Sequence, residues 1–448
     1  MNTKTLIKNA RLVNEGQITE GDLLIAQGRI KKIAASIEAD AATEIIDAAG
    51  AYLLPGMIDD QVHFREPGLT HKGGIRSESR AAAAGGITSY MEMPNTLPPT
   101  VTLDALEDKY AVAAQKSLTN YAFYLGATND NLDVIRSLPV GKAAGIKIFM
   151  GASTGNMLVD NQETLAGIFR DAPALITTHC ESTPMIQAKL EAALEKYGPE
   201  IPVSEHPNIR SAEACYLSTS TAIGLSRQYQ APLHVLHLTT AREMELFEPG
   251  PMAGKLVTAE VCVHFLHFNS DDYATRGNHI KCNPAIKTPA DQAGLIKALQ
   301  EGRLDIIATD HAPHTFEEKA STNYQKAPAG LPLVQDALLT VFELYHDGII
   351  SLEDIARLTA HNPADRYKVA ERGYLREGYW ADLVLVDTRG KTAVTRDRVL
   401  SQCGWSPFEG ETFRSEIVCT LVNGQPVYKD GHIVETDAAR RLRFGPQR

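Results

Sequence analysis

Two hydrophobic patterns alternate through the middle of the chain. Short runs dense in apolar residues have the length and composition of buried strands: MIDDQVHF, GITSYMEMP, YAFYLGAT, GIKIFMG, ALITTHC, LHVLHLTT, LVTAEVCVHF and DIIATDH. Between them lie longer stretches with helical spacing, among them TLDALEDKYAVAAQKS, PMIQAKLEAALEKYG, SAEACYLSTSTAIGLSRQ and LPLVQDALLTVFELYHDG. ESRAAAAGG reads as a helix with its cap, and several of the other stretches also end at a glycine suited to a left-handed cap. Alternation of this kind implies a parallel sheet with crossover helices. Eight repeats favour a closed (β/α)8 TIM-type barrel over an open sheet.

The two ends differ from the middle. TLIKNARLVN, GDLLIAQGRIKKIAA and ATEIIDAAG near the start, and ADLVLVDTRG and EIVCTLVNGQPVYKDG near the end, mix apolar and polar positions and break at Gly and Asn. They predict one small β-domain built from both termini. The expected organisation is therefore α/β: residues 1–54 and 371–448 contribute the small β-domain and residues 55–370 the barrel.

Composition narrows the class. A chain of 448 residues, 44% hydrophobic and 22% charged, has the make-up of a soluble globular protein with a sizeable core. Its net charge of -11 argues against a nucleic-acid partner, which needs clustered Lys and Arg. A small anionic substrate remains open, since one local arginine suffices. No segment approaches the roughly 20 apolar residues of a membrane span, and MNTKTLIKNARLVNEG lacks the apolar core of a signal peptide. The six cysteines are scattered and form no CxxC pair, as expected of reduced thiols. The expectation is a cytoplasmic protein with no membrane partner.

Polar residues gather at the ends of the predicted strands: Gln61, His63 and Arg65 after the first, Asn95 after the second, Lys147 in the fourth, His179 in the fifth, His234 and His237 in the sixth, His264 in the seventh, and Asp310, His311 and His314 after the eighth. In a parallel barrel these positions open onto one face, where barrel enzymes place their active sites. A lone histidine beside a strand is an ordinary core residue. Several metal-capable residues at matching strand ends are harder to explain that way. His63, His179, His237 and Asp310 could hold one or two zinc-like ions, with Asp310 shuttling the proton of a metal-activated water. Lys147 lies in an otherwise apolar strand. It either snorkels to the surface or is buried with a lowered pKa, in which case the neutral amine could form a carbamate with carbon dioxide.

With these motifs in view, the chain resembles the dihydroorotases of the amidohydrolase superfamily. The resemblance rests on PGMIDDQVHFREPG, GGITSYMEMPNT, GIKIFMGAS, THCE, LHLTT, KCNPAIK and IATDHAPH and spans nearly the whole chain. It implies zinc, one or two ions per subunit, held by His63, Lys147 as a carboxylated lysine, His179, His237 and Asp310, with Asp310 also catalytic. The substrate would be held by His63, Arg65, Asn95, Asn283, His314 and the Ala329-Gly330 pair, where the family often has Phe-Gly. It implies the reversible hydrolysis of L-dihydroorotate to N-carbamoyl-L-aspartate in pyrimidine (UMP) biosynthesis. The family is often oligomeric, which leaves a homodimer open.

One departure stands out. The family's first strand supplies an HxH pair, and Gln61 takes the place of one histidine. Its amide oxygen could bind weakly or sit behind the ligands. The expectation is uneven occupancy, with a tight position at His179 and His237 and a weak or absent one at Gln61 and His63. Two other readings compete. A hydantoinase, dihydropyrimidinase or allantoinase would share the metal frame, but its substrates offer no carboxylate to Arg65. A non-catalytic scaffold partner of aspartate transcarbamoylase would explain Gln61 but not the survival of the other site residues.

Overall fold

The middle strands are buried on both faces, which accounts for their apolar runs, and the polar residues they carry are buried too. In the computed structural model, which describes residues 4–151 and 157–448, eight parallel strands form the barrel. They are β1 (Met57–Val62), β2 (Ile87–Glu92), β3 (Asn120–Phe123, continued at Leu125–Gly126), β4 (Ile146–Phe149), β5 (Ile176–His179), β6 (Leu233–Val235), β7 (Val257–Cys262) and β8 (Ile306–Ala308). Each pairs in parallel with the next, and Val62 bridges His311 to join the last to the first. The His63 N–H donates to the His311 carbonyl across that seam at 2.7 Å.

The predicted strand YAFYLGAT is interrupted at Tyr124 because the chain changes partners there. The Tyr124 N–H still donates to Glu92 of β2, whereas the Leu125 N–H donates to Gly145, just before β4. The last two residues of GIKIFMGAS, Ala152 and Ser153, lie outside the described residues.

Helices follow most strands, and their ends agree with local chemistry. Thr102 caps Leu103–Lys116 by accepting from the Ala105 N–H at 3.1 Å, and Asn161 caps Gln162–Asp171 in the same way. Gly85 closes Ile75–Ala84.

The ends of the chain share one nine-stranded sheet. Tyr52–Pro55, just ahead of the barrel, pairs in parallel with Lys4–Asn14 and antiparallel with Leu383–Asp387 from beyond it. Leu12, Leu23, Leu53, Leu383 and Leu421 are buried in a core separate from that of the barrel.

Candidate active site

The barrel's strand ends and the segments that follow them deliver the predicted residues to one cavity of about 530 Å³. Gln61, His63, Arg65, Asn95, Lys147, His179, His237, Asn283, Asp310, His314, Ala329 and Gly330 all line it. Arg65, His237 and Asp310 hold left-handed backbone, with φ of 68°, 41° and 52°. Such conformations are costly for residues with a Cβ and persist where surrounding contacts over-determine them.

His179 and His63 are oriented by outer partners, whereas Nδ1 of His237 has none among the described residues. His179 Nε2–H donates to Glu181 Oε2 at 2.9 Å, and Arg210 pairs with that same oxygen. The Nδ1 lone pair of His179 therefore faces Nε2 of His237, 3.0 Å away. His63 Nδ1–H donates to Asn95 Oδ1 at 2.8 Å, leaving Nε2 toward Asp310 Oδ1 at 3.0 Å. A cation held between them would satisfy the His179 and His63 lone pairs together with His237 and Asp310. A second partner fixing the tautomer is the usual arrangement behind ligand histidines. Tetrahedral zinc with ligands at about 2.0–2.1 Å would have ligand–ligand edges of about 3.3 Å. The donor set and its spacing thus fit a zinc-like ion.

Gln61 differs from a ligand in its present pose. Its Nε2–H donates to Asp310 Oδ1 at 3.0 Å, and its Oε1 points toward Cys262 Sγ. It hydrogen-bonds the carboxylate from the side where the HxH pattern would place a nitrogen lone pair.

Electrostatics follow burial and neighbours. Burial pushes the Asp310 carboxyl up; with His63 and His237 protonated, the His63 hydrogen bond and the two charges outweigh it and bring the group down to about 2. Lys147 is buried, with its ammonium 4.7 Å from the centre of the Phe149 ring. Burial lowers it to about 8 despite the opposing charges of Asp310 and Glu260. Burial also lowers Arg65, to about 10, so it stays cationic at neutral pH.

Opposite these groups lies a basic wall. Arg65 donates through Nε to the Pro313 carbonyl at 3.2 Å, and a terminal nitrogen lies 3.2 Å from His314 Nε2, whose N–H donates to the Ala329 carbonyl at 3.1 Å. Lys72 Nζ donates to His314 Nδ1 at 3.1 Å. Burial, with Arg65 and Lys72 alongside, holds His314 far below the usual histidine range, so its ring is neutral. The Asn283 side-chain oxygen is buried and has no partner among the described residues.

The sequence reading missed several contributors. Lys72 follows REPG by only a few residues, and Glu181 sits inside the quoted THCE. Arg210 lies on a loop with no strand pattern to mark it. His234 does not line the cavity. It is fully buried between Asp60 and Glu260. His311 is likewise structural, bonded to Glu78 at 2.8 Å and to the Leu333 N–H at 2.9 Å.

A family model described as the amidohydrolase family matches residues 52–427. The dihydroorotase of Methanothermobacter thermautotrophicus is 32% identical over 430 residues, covering 94% of this chain and 91% of that protein. The allantoinase of Bacillus velezensis is 33% identical over 431 residues, covering 95% and 94%. Among solved structures, the L-hydantoinase (dihydropyrimidinase) of Arthrobacter aurescens has a TM-score of 0.93 at 28% identity, covering 99% of this chain and all of that one.

Proposed function

The chain belongs to the amidohydrolase family, and from that premise we propose that this cyclic amide hydrolase is a dihydroorotase, interconverting L-dihydroorotate and N-carbamoyl-L-aspartate. Relatives of similar identity bear the names dihydroorotase and allantoinase, so overall likeness does not choose the substrate. The basic wall carries the choice. Arg65 and Lys72 line the cavity with neutral His314 and Asn95. A guanidinium fork and an ammonium match a carboxylate. Dihydroorotate has one on its ring; hydantoin and allantoin have none.

His63, Lys147, His179, His237 and Asp310 would hold the metal, with Gln61 beside them. When bound, a zinc-like ion would activate water and polarise the scissile carbonyl. Lys147, lowered to about 8 by burial, is suited to carboxylation, which would supply carboxylate oxygens to the metal. Arg65, Lys72 and His314 anchor the substrate carboxylate and present the ring amide carbon toward Asp310. One Asp310 oxygen takes the proton of the attacking water as the new C–O bond forms. Asp310 then passes that proton to the ring nitrogen as the C–N bond breaks. Ring closure reverses these transfers.

Arg65→Met tests the assignment. Losing a charge-assisted contact worth about 1.5–3 kcal/mol should lower kcat/KM for dihydroorotate about 10- to 100-fold. Rates on an uncharged cyclic amide should barely move. Equal losses on both substrates would remove Arg65 from carboxylate recognition and the reading with it.

A further inference from the structure

We infer that Asp60, His234 and Glu260 form a separate buried cation site, built for a zinc-like divalent ion, away from the substrate cavity. The three come from β1, β6 and β7 and have no exposed surface. Each offers one ligand atom, all within 4.8 Å of one another. His234 Nε2 lies 3.2 Å from Asp60 Oδ2 and 3.6 Å from Glu260 Oε2. The other ring nitrogen, Nδ1, is occupied by Thr258 Oγ1 at 2.7 Å. The second oxygen of Glu260 is occupied too, accepting the His237 N–H at 3.0 Å.

Among the described residues, no hydrogen bond satisfies either Asp60 oxygen, Glu260 Oε2 or His234 Nε2. Buried carboxylates without partners are costly, so something positive belongs between them. A proton on Nε2 could serve one carboxylate at a time and would draw it to about 2.7–2.9 Å. The observed separations are longer. They straddle the edge of about 3.3 Å between ligands of a tetrahedral zinc bound at about 2.0–2.1 Å. One imidazole and two carboxylates are a borderline-metal donor set. Glu260 would then bind the ion through one oxygen and hold the His237 backbone through the other. The ion would brace the strand that carries a residue of the catalytic cavity.

The test does not depend on which substrate is turned over. The chain is expressed with zinc, and its metal content is measured after gel filtration. A His179→Asn, His237→Asn double variant, disabled at the cavity, should keep about one zinc per chain. Adding Asp60→Asn should remove it while circular dichroism shows a folded protein. If Asp60→Asn fails to fold, Glu260→Gln replaces it. Zinc-edge anomalous diffraction from wild-type crystals should show a peak bounded by the three side chains. The inference is overturned if the double variant holds no zinc or if the triple variant holds as much as the double. It is also overturned if the map is blank there, with the His234 ring drawn onto a single carboxylate as an imidazolium.

Discussion

At the residue scale, the role proposed for Asp310 sets two requirements. The side chain must stay ionised in a buried cavity and must lie beside both the metal position and the substrate. Contacts from His63 and Gln61 and a left-handed backbone achieve this. Asp310→Asn should cut turnover about 10²- to 10⁴-fold, the usual weight of a positioned acid–base group, while most of the metal stays bound. Steady-state rates alongside metal analysis would check it; near-wild-type turnover would remove Asp310 from proton transfer. Gln61 is the second residue at issue. It donates to Asp310 where a lone pair would be needed, which supports uneven metal occupancy. Metal titration by calorimetry should show one tight site and at most one weak one there, and Gln61→His should tighten the weak one. Two equally tight cavity sites, counted in an Asp60→Asn background that lacks the separate buried site, would contradict this.

At the scale of elements, the strand ends were legible because apolar runs ended in metal-capable side chains. The loops closing the cavity were not, because backbone carbonyls hold them and carbonyls leave no sequence signal. Lys319 shows this. Its ammonium is fully buried and donates to the carbonyls of Lys281 at 2.8 Å and Pro328 at 3.0 Å. It thereby fastens the segment that brings Ala329 and Gly330 to the cavity. Burial lowers it to about 7, against about 10.4 for an unfolded lysine. Between those pH values the unfolded chain binds the extra proton, so this group's contribution to stability rises with pH. Compared with Lys319→Met, the wild type should gain up to about 1.4 kcal/mol per pH unit across the window. Urea unfolding at pH 7 and 9.5 would measure it, and parallel slopes for the two proteins would contradict it. The interruption of β3 at Tyr124 was equally hidden, since it reflects a change of strand partner and not a change of residue type.

For the whole molecule, the α/β barrel class and the gathering of nine of the cavity residues followed from eight short apolar runs and what stands at their ends, whereas Asn283, Ala329 and Gly330 came from the family resemblance. The pairing of both termini in one sheet was suggested by pattern alone; its register, with Leu53 opposite Leu385, was not legible. Nor was the tie from the C-terminal segment to the cavity, where the Trp405 indole N–H donates to the His314 carbonyl at 2.8 Å. An aromatic residue far along the chain suggests only packing until the fold shows what its N–H meets. Among the described residues, no helix is long and apolar enough to cross a membrane.

The account depends most on the claim that a carboxylate-reading cavity selects the substrate. The measurement closest to that claim is kcat/KM of the zinc-loaded enzyme on L-dihydroorotate, hydantoin and allantoin side by side. Dihydroorotate should be preferred over both by at least about tenfold, the value of one charge-assisted contact of about 1.5 kcal/mol. Equal or better turnover of hydantoin or allantoin would contradict it.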